Sequence, residues 1–244
     1  MSALPPVLLL PGNMCDERLW QPVADRLAAA GHRVGAAPRL DHDSIAAMAD
    51  AVLADVPGPA VVIGFSMGAI VAAEMARRAP RQVPALGLVA FNASADLPER
   101  AAVRPRQQRD VRAGRLAAVV ADELKPNYLA EANRQDRELL ATVMDMAVAL
   151  GPDVFVRQSE ALRLRDDLRP SLPSLAMPVL LACGVDDRLC PPEWHHAWAE
   201  MIEGNARVAE INGAGHLVPL EQPGALAETL LAWLAEETTC PTAS

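Results

Sequence analysis

The stretch that decides the fold is Ala60-Val-Val-Ile-Gly-Phe-Ser66-Met-Gly68-Ala-Ile-Val-Ala-Ala73. It opens with a short apolar run, which is typical of a strand buried on both faces. A helical pattern follows and ends before Pro80. Between the two stands Gly-x-Ser-x-Gly, whose glycines have no Cβ to collide with the chain where it doubles back. A strand, a tight turn and a helix in succession therefore predict that the Ser66 hydroxyl is held clear of the sheet.

The same alternation of strand and helix patterns extends along most of the chain on both sides of Ser66. Three further apolar runs, at 7–10, 86–91 and 179–183, predict buried strands. Two weaker runs, at 33–36 and 206–211, predict additional strands. Helical patterns lie at 19–30, 44–56 with Ser44 as the N-cap, 193–203 and 222–236. Strands that alternate with helices indicate an α/β protein with a mostly parallel, doubly wound sheet.

The alternation stops after Phe91 and resumes at Val179. Residues 95–173 show helical patterns near 98–114, 116–124, 134–150 and 153–167, with no convincing strand. This stretch is too long for a bare connection between two strands. We therefore predict a core formed by residues 1–94 and 174–244, and an all-helical insertion over residues 95–173 that packs above the carboxyl edge of the sheet.

Composition narrows the classes of function. Hydrophobic residues at 51% and charged residues at 22% describe a globular chain with a large core. A net charge of −9 without a dense Lys/Arg cluster argues against a nucleic-acid partner. No apolar run approaches the roughly 20 residues of a membrane span, and the N-terminus has no basic region of a signal peptide. The sequence predicts a cytoplasmic protein with a small-molecule substrate and no membrane partner, and leaves the oligomeric state unknown.

Four cysteines are scattered as Cys15, Cys183, Cys190 and Cys240. They show neither a Cys-x-x-Cys pair nor zinc-ligand spacing, so we expect free thiols and no metal site. Cys15 and Cys190 lie in predicted loops and are the two that could line a site.

A serine needs a base within hydrogen-bond reach, and the base needs a partner that fixes its tautomer. Of five histidines, His216 stands in a glycine-bearing loop directly after the last predicted strand. The other four, His32, His42, His195 and His196, are expected to be structural or surface residues. The acid is expected in the loop after the strand at 179–183, where Asp186 and Asp187 are adjacent candidates.

With these motifs in the order serine, acid, histidine, the chain resembles the α/β-hydrolase superfamily. The resemblance rests on Gly64-Phe-Ser-Met-Gly68, on Gly184-x-x-Asp187-x-x-x-Pro191 and on Gly215-His216 with Glu221-Gln-Pro223. It implies the α/β-hydrolase fold, with the insertion as a helical cap. It also selects Asp187 over Asp186, because the acid usually stands three residues after the glycine. Since the first strand begins almost at the start of the chain, we expect about six strands and no antiparallel pair before them.

The resemblance further implies an oxyanion hole made by two backbone N–H groups. One belongs to Met67, which follows the nucleophile at a helix N-terminus. By similarity the other is that of Asn13, although this chain has Pro11-Gly12 where many members have His-Gly. Met144, Met146, Phe155, Trp20, Trp194 and Trp198 are candidates to line the pocket, with the alternative that they are core residues.

The implied activity is that of a carboxylesterase-like serine hydrolase (EC 3.1.1), which cleaves an ester or a related acyl bond through an acyl-enzyme. Such a reaction needs no metal and no organic cofactor. Two alternatives stay open. One is a non-hydrolytic enzyme on the same fold, such as a hydroxynitrile lyase or a cofactor-free perhydrolase or haloperoxidase, and the other is a ligand-binding receptor.

Overall fold

A computed structural model of the chain describes residues 5–35, 39–56, 58–124 and 128–239. It contains one sheet of six strands in the order β2-β1-β3-β4-β5-β6, and all neighbouring strands run parallel. The strands are β1 Val7–Leu10, β2 Val34–Gly35, β3 Val61–Phe65, β4 Leu86–Val89, β5 Val179–Gly184 and β6 Ala206–Ile211. The predicted fold class, with about six parallel strands, is confirmed.

The α-helices alternate with these strands outside the region between β4 and β5. They are α1 Gln21–Ala29, α2 Ile45–Asp55, α3 Met67–Arg78, α4 Pro98–Asp110, α5 Leu116–Ala118, α6 Arg137–Arg163, α7 Pro192–Met201, α8 Val218–Glu221 and α9 Pro223–Thr239. Ser44 caps α2 as predicted, because its hydroxyl accepts a hydrogen bond from the Ala47 N–H at 3.2 Å.

Two predicted strands differ from the observed ones. The strand predicted at 86–91 ends at Val89, because Ala90 adopts a positive φ of 52° that an extended chain does not allow. The strand predicted at 33–36 reduces to Val34–Gly35, and Ala36 lies outside the described residues.

Alternate residues of each strand pack into two apolar cores, one on each face of the sheet. Val7, Leu9 and Ile63 face α1 and α9, while Leu8, Leu10 and Val62 face α2, α3 and α7. With both faces covered, the sheet needs the continuous apolar strands that the sequence supplies. Helices on both sides therefore leave the carboxyl edge as the place where loops can build a site.

Between β4 and β5, the described residues form helices and no strand. A small apolar cluster holds this region together and includes Val111, Val120 and Phe155. Met14, from the loop after β1, belongs to the same cluster. The helical region is thereby packed against the loop that follows the first strand.

Helix α6 is 27 residues long, and among the described helices it is the one that could cross a membrane by length and composition. Gly151 breaks it, with φ 82° and ψ 176°. The break corresponds to the boundary between the helices predicted at 134–150 and 153–167. The second helix was predicted too long: it ends at Arg163, and Arg165 turns back to bond Asp96.

Candidate active site

Ser66 lies in the sharp turn between β3 and α3. Its backbone has φ 51° and ψ −114°, a strained conformation for a residue with a side chain. The turn is possible because a Cβ on Gly64 would lie 2.2 Å from the carbonyl oxygen of Gly68. A Cβ on Gly68 would lie 2.5 Å from the carbonyl oxygens of Leu10 and Pro11. The two glycines therefore permit the close approach that the sequence motif predicts.

Three of the predicted site residues form one continuous hydrogen-bonded chain. His216 Nε2 lies 2.9 Å from Ser66 Oγ, and His216 Nδ1 lies 2.8 Å from Asp187 Oδ2. The ionised carboxylate accepts from Nδ1–H, so the free lone pair of the neutral ring is on Nε2, facing the hydroxyl. This arrangement can take a proton from Ser66 and hold it on the imidazole.

Asp187, and not its neighbour Asp186, bonds the histidine. Asp187 is buried, whereas Asp186 is exposed. The second carboxylate oxygen of Asp187 accepts from the N–H groups of Leu189 and Cys190 at 2.8 and 2.9 Å. Burial alone raises the pKa of Asp187, but His216 and these N–H groups outweigh it, so the pKa lies below its ordinary value. The carboxylate is thus held ionised beside the imidazole.

The His216 ring is buried between two aromatic rings, with centroid distances of 5.2 Å to Phe65 and 5.8 Å to Tyr128. Burial lowers the pKa of His216, but the Asp187 carboxylate raises it more, and the net direction is upward. His195 behaves differently. Its Nε2 accepts from the Phe91 N–H at 2.9 Å, and burial lowers its pKa to about 4, so it is a neutral structural histidine as predicted.

The loop after β1 brings Asn13 to the same place, at the neighbouring strand end where the strand order reverses. Among the described residues, the backbone N–H groups of Asn13 and Met67 have no acceptor. A residue that the sequence analysis missed fixes this loop. Gln158 Oε1 accepts from Asn13 Nδ2 at 3.1 Å and from the Met14 N–H at 2.8 Å, while its Nε2 donates to the Leu40 carbonyl at 2.8 Å.

Glu221 is a second residue whose position the sequence analysis did not predict, although it appears in the quoted Glu221-Gln-Pro223 motif. One oxygen accepts from the Gly215 N–H at 2.9 Å, and the other accepts from the Ala130 N–H at 2.8 Å and from Asn133 Nδ2 at 2.9 Å. In addition, the backbone N–H of His216 donates to the backbone carbonyl of Tyr128 at 2.7 Å. The histidine loop is therefore tied directly to the helical region between β4 and β5.

A cavity of about 240 Å³ opens at Ser66 and His216. Asn13 and Met67 also line it, together with one face of α4. The predicted pocket residues do not line it: Met146 and Trp20 pack on one face of the sheet, Trp194 and Trp198 on the other, and Met144 and Phe155 in the apolar cluster of the helical region. They follow the core alternative, because apolar side chains gain most by packing between elements.

Arginines form part of the cavity wall, which the sequence analysis did not predict. Arg104 and Arg165 both bond the carboxylate of Asp96, at 2.7 and 2.8 Å, and the Asp96 side chain is 1% exposed. Arg100 lines the cavity one turn before Arg104. Burial raises the pKa of the nearby Tyr128 hydroxyl, and the charges of Arg104 and Arg100 oppose that shift. Guanidinium groups therefore form part of an otherwise largely apolar cavity wall.

The cysteines Cys15, Cys183 and Cys190 are buried free thiols, and Cys240 lies outside the described residues. Cys190 lines the cavity, whereas Cys15 does not. Burial raises the pKa of the Cys15 thiol to about 12. Asp187, Cys190 and His216 offer possible metal-ligand atoms within 4.8 Å of one another. Asp187 and His216 already bond each other at 2.8 Å, so a metal there would replace that hydrogen bond.

Comparison with known proteins agrees with this fold. A family model described as "Alpha/beta hydrolase family" matches residues 7–229. The biotin biosynthesis bifunctional protein BioHC of Cellvibrio japonicus is 31% identical over 240 residues, which is 90% of this chain but 45% of that protein. This chain thus spans less than half of that relative.

A shorter relative and a solved structure match over nearly their whole length. A pimeloyl-[acyl-carrier protein] methyl ester esterase of Neisseria meningitidis is 28% identical over 231 residues, covering 88% of this chain and 87% of that protein. A thermophilic esterase from Thermogutta terrifontis, solved with malate bound, superposes with a TM-score of 0.86 at 27% identity, covering 97% of this chain and 92% of that one.

Proposed function

This chain is a hydrolase of the alpha/beta hydrolase family, and we propose that it cleaves small carboxylic esters with Ser66, His216 and Asp187 as its catalytic residues. The observation that carries the proposal is the chain of hydrogen bonds from Ser66 through His216 to Asp187, at 2.9 and 2.8 Å, which opens on the cavity. Ester hydrolysis is also the activity named for two of the relatives described above.

In the proposed reaction, Ser66 Oγ attacks the ester carbonyl while His216 Nε2 takes the hydroxyl proton. The imidazolium then gives this proton to the leaving alkoxide, and the alcohol departs from an acyl-serine. Water enters, loses a proton to His216 and releases the acid, which restores the serine. Asp187 stabilises the imidazolium that forms in both halves of the cycle. Ser66 and His216 carry every proton that is transferred while Asp187 stays ionised, so the proposal includes no metal and no organic cofactor.

The backbone N–H groups of Asn13 and Met67 are the proposed oxyanion donors. Met67 is the first residue of α3, so its N–H has no acceptor within the helix and adds to the positive end of the helix dipole. Asn13 is held by Gln158 through its side chain, which leaves its backbone N–H available at the cavity. Donors fixed before the reaction stabilise the developing charge without reorganisation.

We further propose that residues 95–173 act as a cap, with residues 1–94 and 174–244 as the catalytic core. The support is that α4 supplies part of the wall of the cavity that opens at the serine. At about 240 Å³, the cavity is below the range of roughly 300–1,000 Å³ for drug-sized ligands. It therefore favours a small ester.

The test compares the wild-type protein with Ser66→Ala on p-nitrophenyl acetate and butyrate, together with labelling by a fluorophosphonate probe. We expect ester cleavage by the wild type alone, and a labelled peptide that contains Ser66. If both proteins cleave the esters equally slowly and the probe does not label Ser66, the proposed function is wrong.

A further inference from the structure

One face of α4 forms part of the wall of the cavity that contains Ser66. Arg100, Val103, Arg104 and Gln107 all line the cavity, and their spacing of three and four residues places them on one side of the helix. Two of the four carry a guanidinium. This wall is unusual in a chain whose net charge is −9.

The charges around the cavity do not balance. Asp96 is a single carboxylate that two arginines share, Arg104 at 2.7 Å and Arg165 at 2.8 Å. Glu123, which also lines the cavity, is paired with Arg106 and accepts a hydrogen bond from Gln107 at 3.0 Å. Among the described residues, no carboxylate lies within ion-pair distance of Arg100. Its positive charge is therefore left for a ligand.

A neutral amide side chain also lines the cavity. Asn92 is 5% exposed, and its Oδ1 accepts from the Ser94 N–H at 2.9 Å. That bond fixes the amide orientation, and Asn92 Nδ2 has no acceptor among the described residues. A buried donor without an acceptor costs folding free energy unless a ligand supplies the acceptor. Asn92 Nδ2 is buried from the cavity as well, so Arg100 is the group that indicates a ligand rich in negatively charged oxygen.

We propose that the natural substrate is an ester that carries a second, free carboxylate, such as a monoester of a small dicarboxylic acid, and that Arg100 binds this carboxylate. The inference rests on the proposed ester hydrolysis. The planar guanidinium of Arg100 can donate two parallel hydrogen bonds to a carboxylate. Hydrolysis consumes one water, and the products are the dicarboxylate, the neutral alcohol and one proton released to solvent.

The test measures kcat/KM for the monomethyl and dimethyl esters of succinate, glutarate and adipate. The wild type is expected to prefer the monoester of at least one acid. Arg100→Gln should lower the ratio of monoester to diester kcat/KM about 10- to 100-fold, the range for a lost hydrogen bond to a charged group. Arg100→Lys, which keeps the charge, should retain part of the preference.

Arg109→Gln is the matched control. Arg109 is exposed on the same helix and does not line the cavity, so this variant changes the net charge equally and should keep the wild-type ratio. As a second measurement, glutarate should bind Ser66→Ala in titration calorimetry, and the added Arg100→Gln should weaken this binding about 10- to 100-fold. Circular dichroism checks that each variant is folded.

The outcomes separate the inference from the function on which it rests. If the wild type cleaves the diesters as well as the monoesters, or Arg100→Gln leaves the ratio unchanged, the carboxylate site is wrong while ester hydrolysis stands. A monoester with a terminal phosphonate that is cleaved as fast as the carboxylate also overturns the assignment. If no ester is cleaved faster than by Ser66→Ala, the proposed function fails, and the substrate class fails with it.

Discussion

At the scale of single residues, the site depends on side chains that hold other groups in a fixed state. The backbone strain at Ser66, with its positive φ, is stabilised by the strand and helix on either side and by the Ser66 N–H bond to the Val89 carbonyl at 2.8 Å. Asp187 holds the His216 ring in a fixed orientation through its bond to Nδ1. It fixes which nitrogen carries the proton, and it raises the pKa of the ring.

The first prediction concerns the pH dependence of Asp187→Asn. His216 must be neutral to accept the serine proton, so kcat/KM of the wild type should fall on the acid side as His216 becomes protonated, with an apparent pKa above the ordinary histidine value. Removing the carboxylate lowers the pKa of His216, so this acid limb should move to lower pH. The plateau should also fall about 10³- to 10⁴-fold, because the histidine tautomer is no longer fixed. The measurement is a pH profile of kcat/KM.

Asp186→Asn is the control for that profile, since Asp186 is the exposed neighbour that does not touch the histidine. Its profile should overlie that of the wild type. A large loss in Asp186→Asn with little change in Asp187→Asn would show that the acid has been assigned to the wrong residue.

The second prediction concerns Gln158, a positioning residue. Gln158→Ala removes the acceptor that holds Asn13 Nδ2 and the Met14 N–H. Loosening the loop that carries the proposed oxyanion donor Asn13 should lower kcat about 10- to 100-fold, because small displacements of a catalytic group are costly. KM should change much less, since Gln158 does not line the cavity. Steady-state kinetics distinguish the two parameters.

Gln21→Ala, at an exposed position on α1, is the matched control and should leave both parameters unchanged. A rise in KM with an unchanged kcat would instead mean that Gln158 shapes the substrate cavity and not the loop that carries Asn13.

At the scale of elements, the sequence predicts most of what depends on local patterns. The motif around Ser66, the apolar strands and the insertion are each visible in consecutive residues, and their order predicts the parallel sheet. The predicted loops also brought His216 and Asp187 to one edge, because the carboxyl ends of parallel strands share an edge. Their hydrogen bonds follow from that shared edge.

The contacts of the helical region could not be predicted in the same way. Gln158 and Glu221 bond groups far away in sequence: Asn13 is 145 residues from Gln158, and Ala130 is 91 residues from Glu221. The hydrophobic pattern of a helix shows which face is buried, but it does not show which loop or helix packs against that face. The same reason explains why Met146 and Phe155 were candidates for the pocket but pack in the interior.

The third prediction concerns Glu221, which joins the histidine loop to the segment at 128–133. Glu221→Ala leaves the N–H groups of Gly215 and Ala130 without their acceptor in a buried place. The free energy of unfolding should fall by about 2–4 kcal/mol, given the cost of about 1–3 kcal/mol for each buried group left unsatisfied. Urea denaturation followed by circular dichroism measures this change.

Glu228→Ala on the exposed side of α9 removes the same charge and should change the free energy of unfolding by no more than about 0.5 kcal/mol. Equal urea midpoints for Glu221→Ala and the wild type would show that the carboxylate does not hold the two segments together.

At the scale of the whole molecule, the helical region must be anchored to the sheet at both of its ends. The Arg165 guanidinium donates to the Ser94 carbonyl at 3.0 Å and to Asp96 at 2.8 Å, and the Leu168 N–H donates to the Ala93 carbonyl at 2.8 Å. These bonds bring the entry to α4 and the exit from α6 to one place. Asp96 lies at its centre and pairs with Arg104 on α4 as well.

The fourth prediction follows from the ionisation of Asp96. Burial alone raises the pKa of Asp96, but Arg104 and Arg165 outweigh it, so the folded pKa lies below the ordinary value. A lowered folded pKa means that the stabilisation is complete above the unfolded pKa of about 3.9 and is lost as the pH falls through the folded pKa. Asp96→Asn should therefore lower the free energy of unfolding by about 3–5 kcal/mol at pH 7, because it leaves the Arg165 charge buried. Urea titrations from pH 7 to pH 3 should show this difference in the free energy of unfolding between the wild type and the variant narrowing below about pH 4.

Asp50→Asn is the control. Its ion pair with Arg78 is exposed, so the free energy of unfolding should change by about 0–1 kcal/mol. A difference for Asp96→Asn that stays constant down to pH 3, or one that is no larger than that of the control, would contradict the view that the Asp96 carboxylate anchors the helical region.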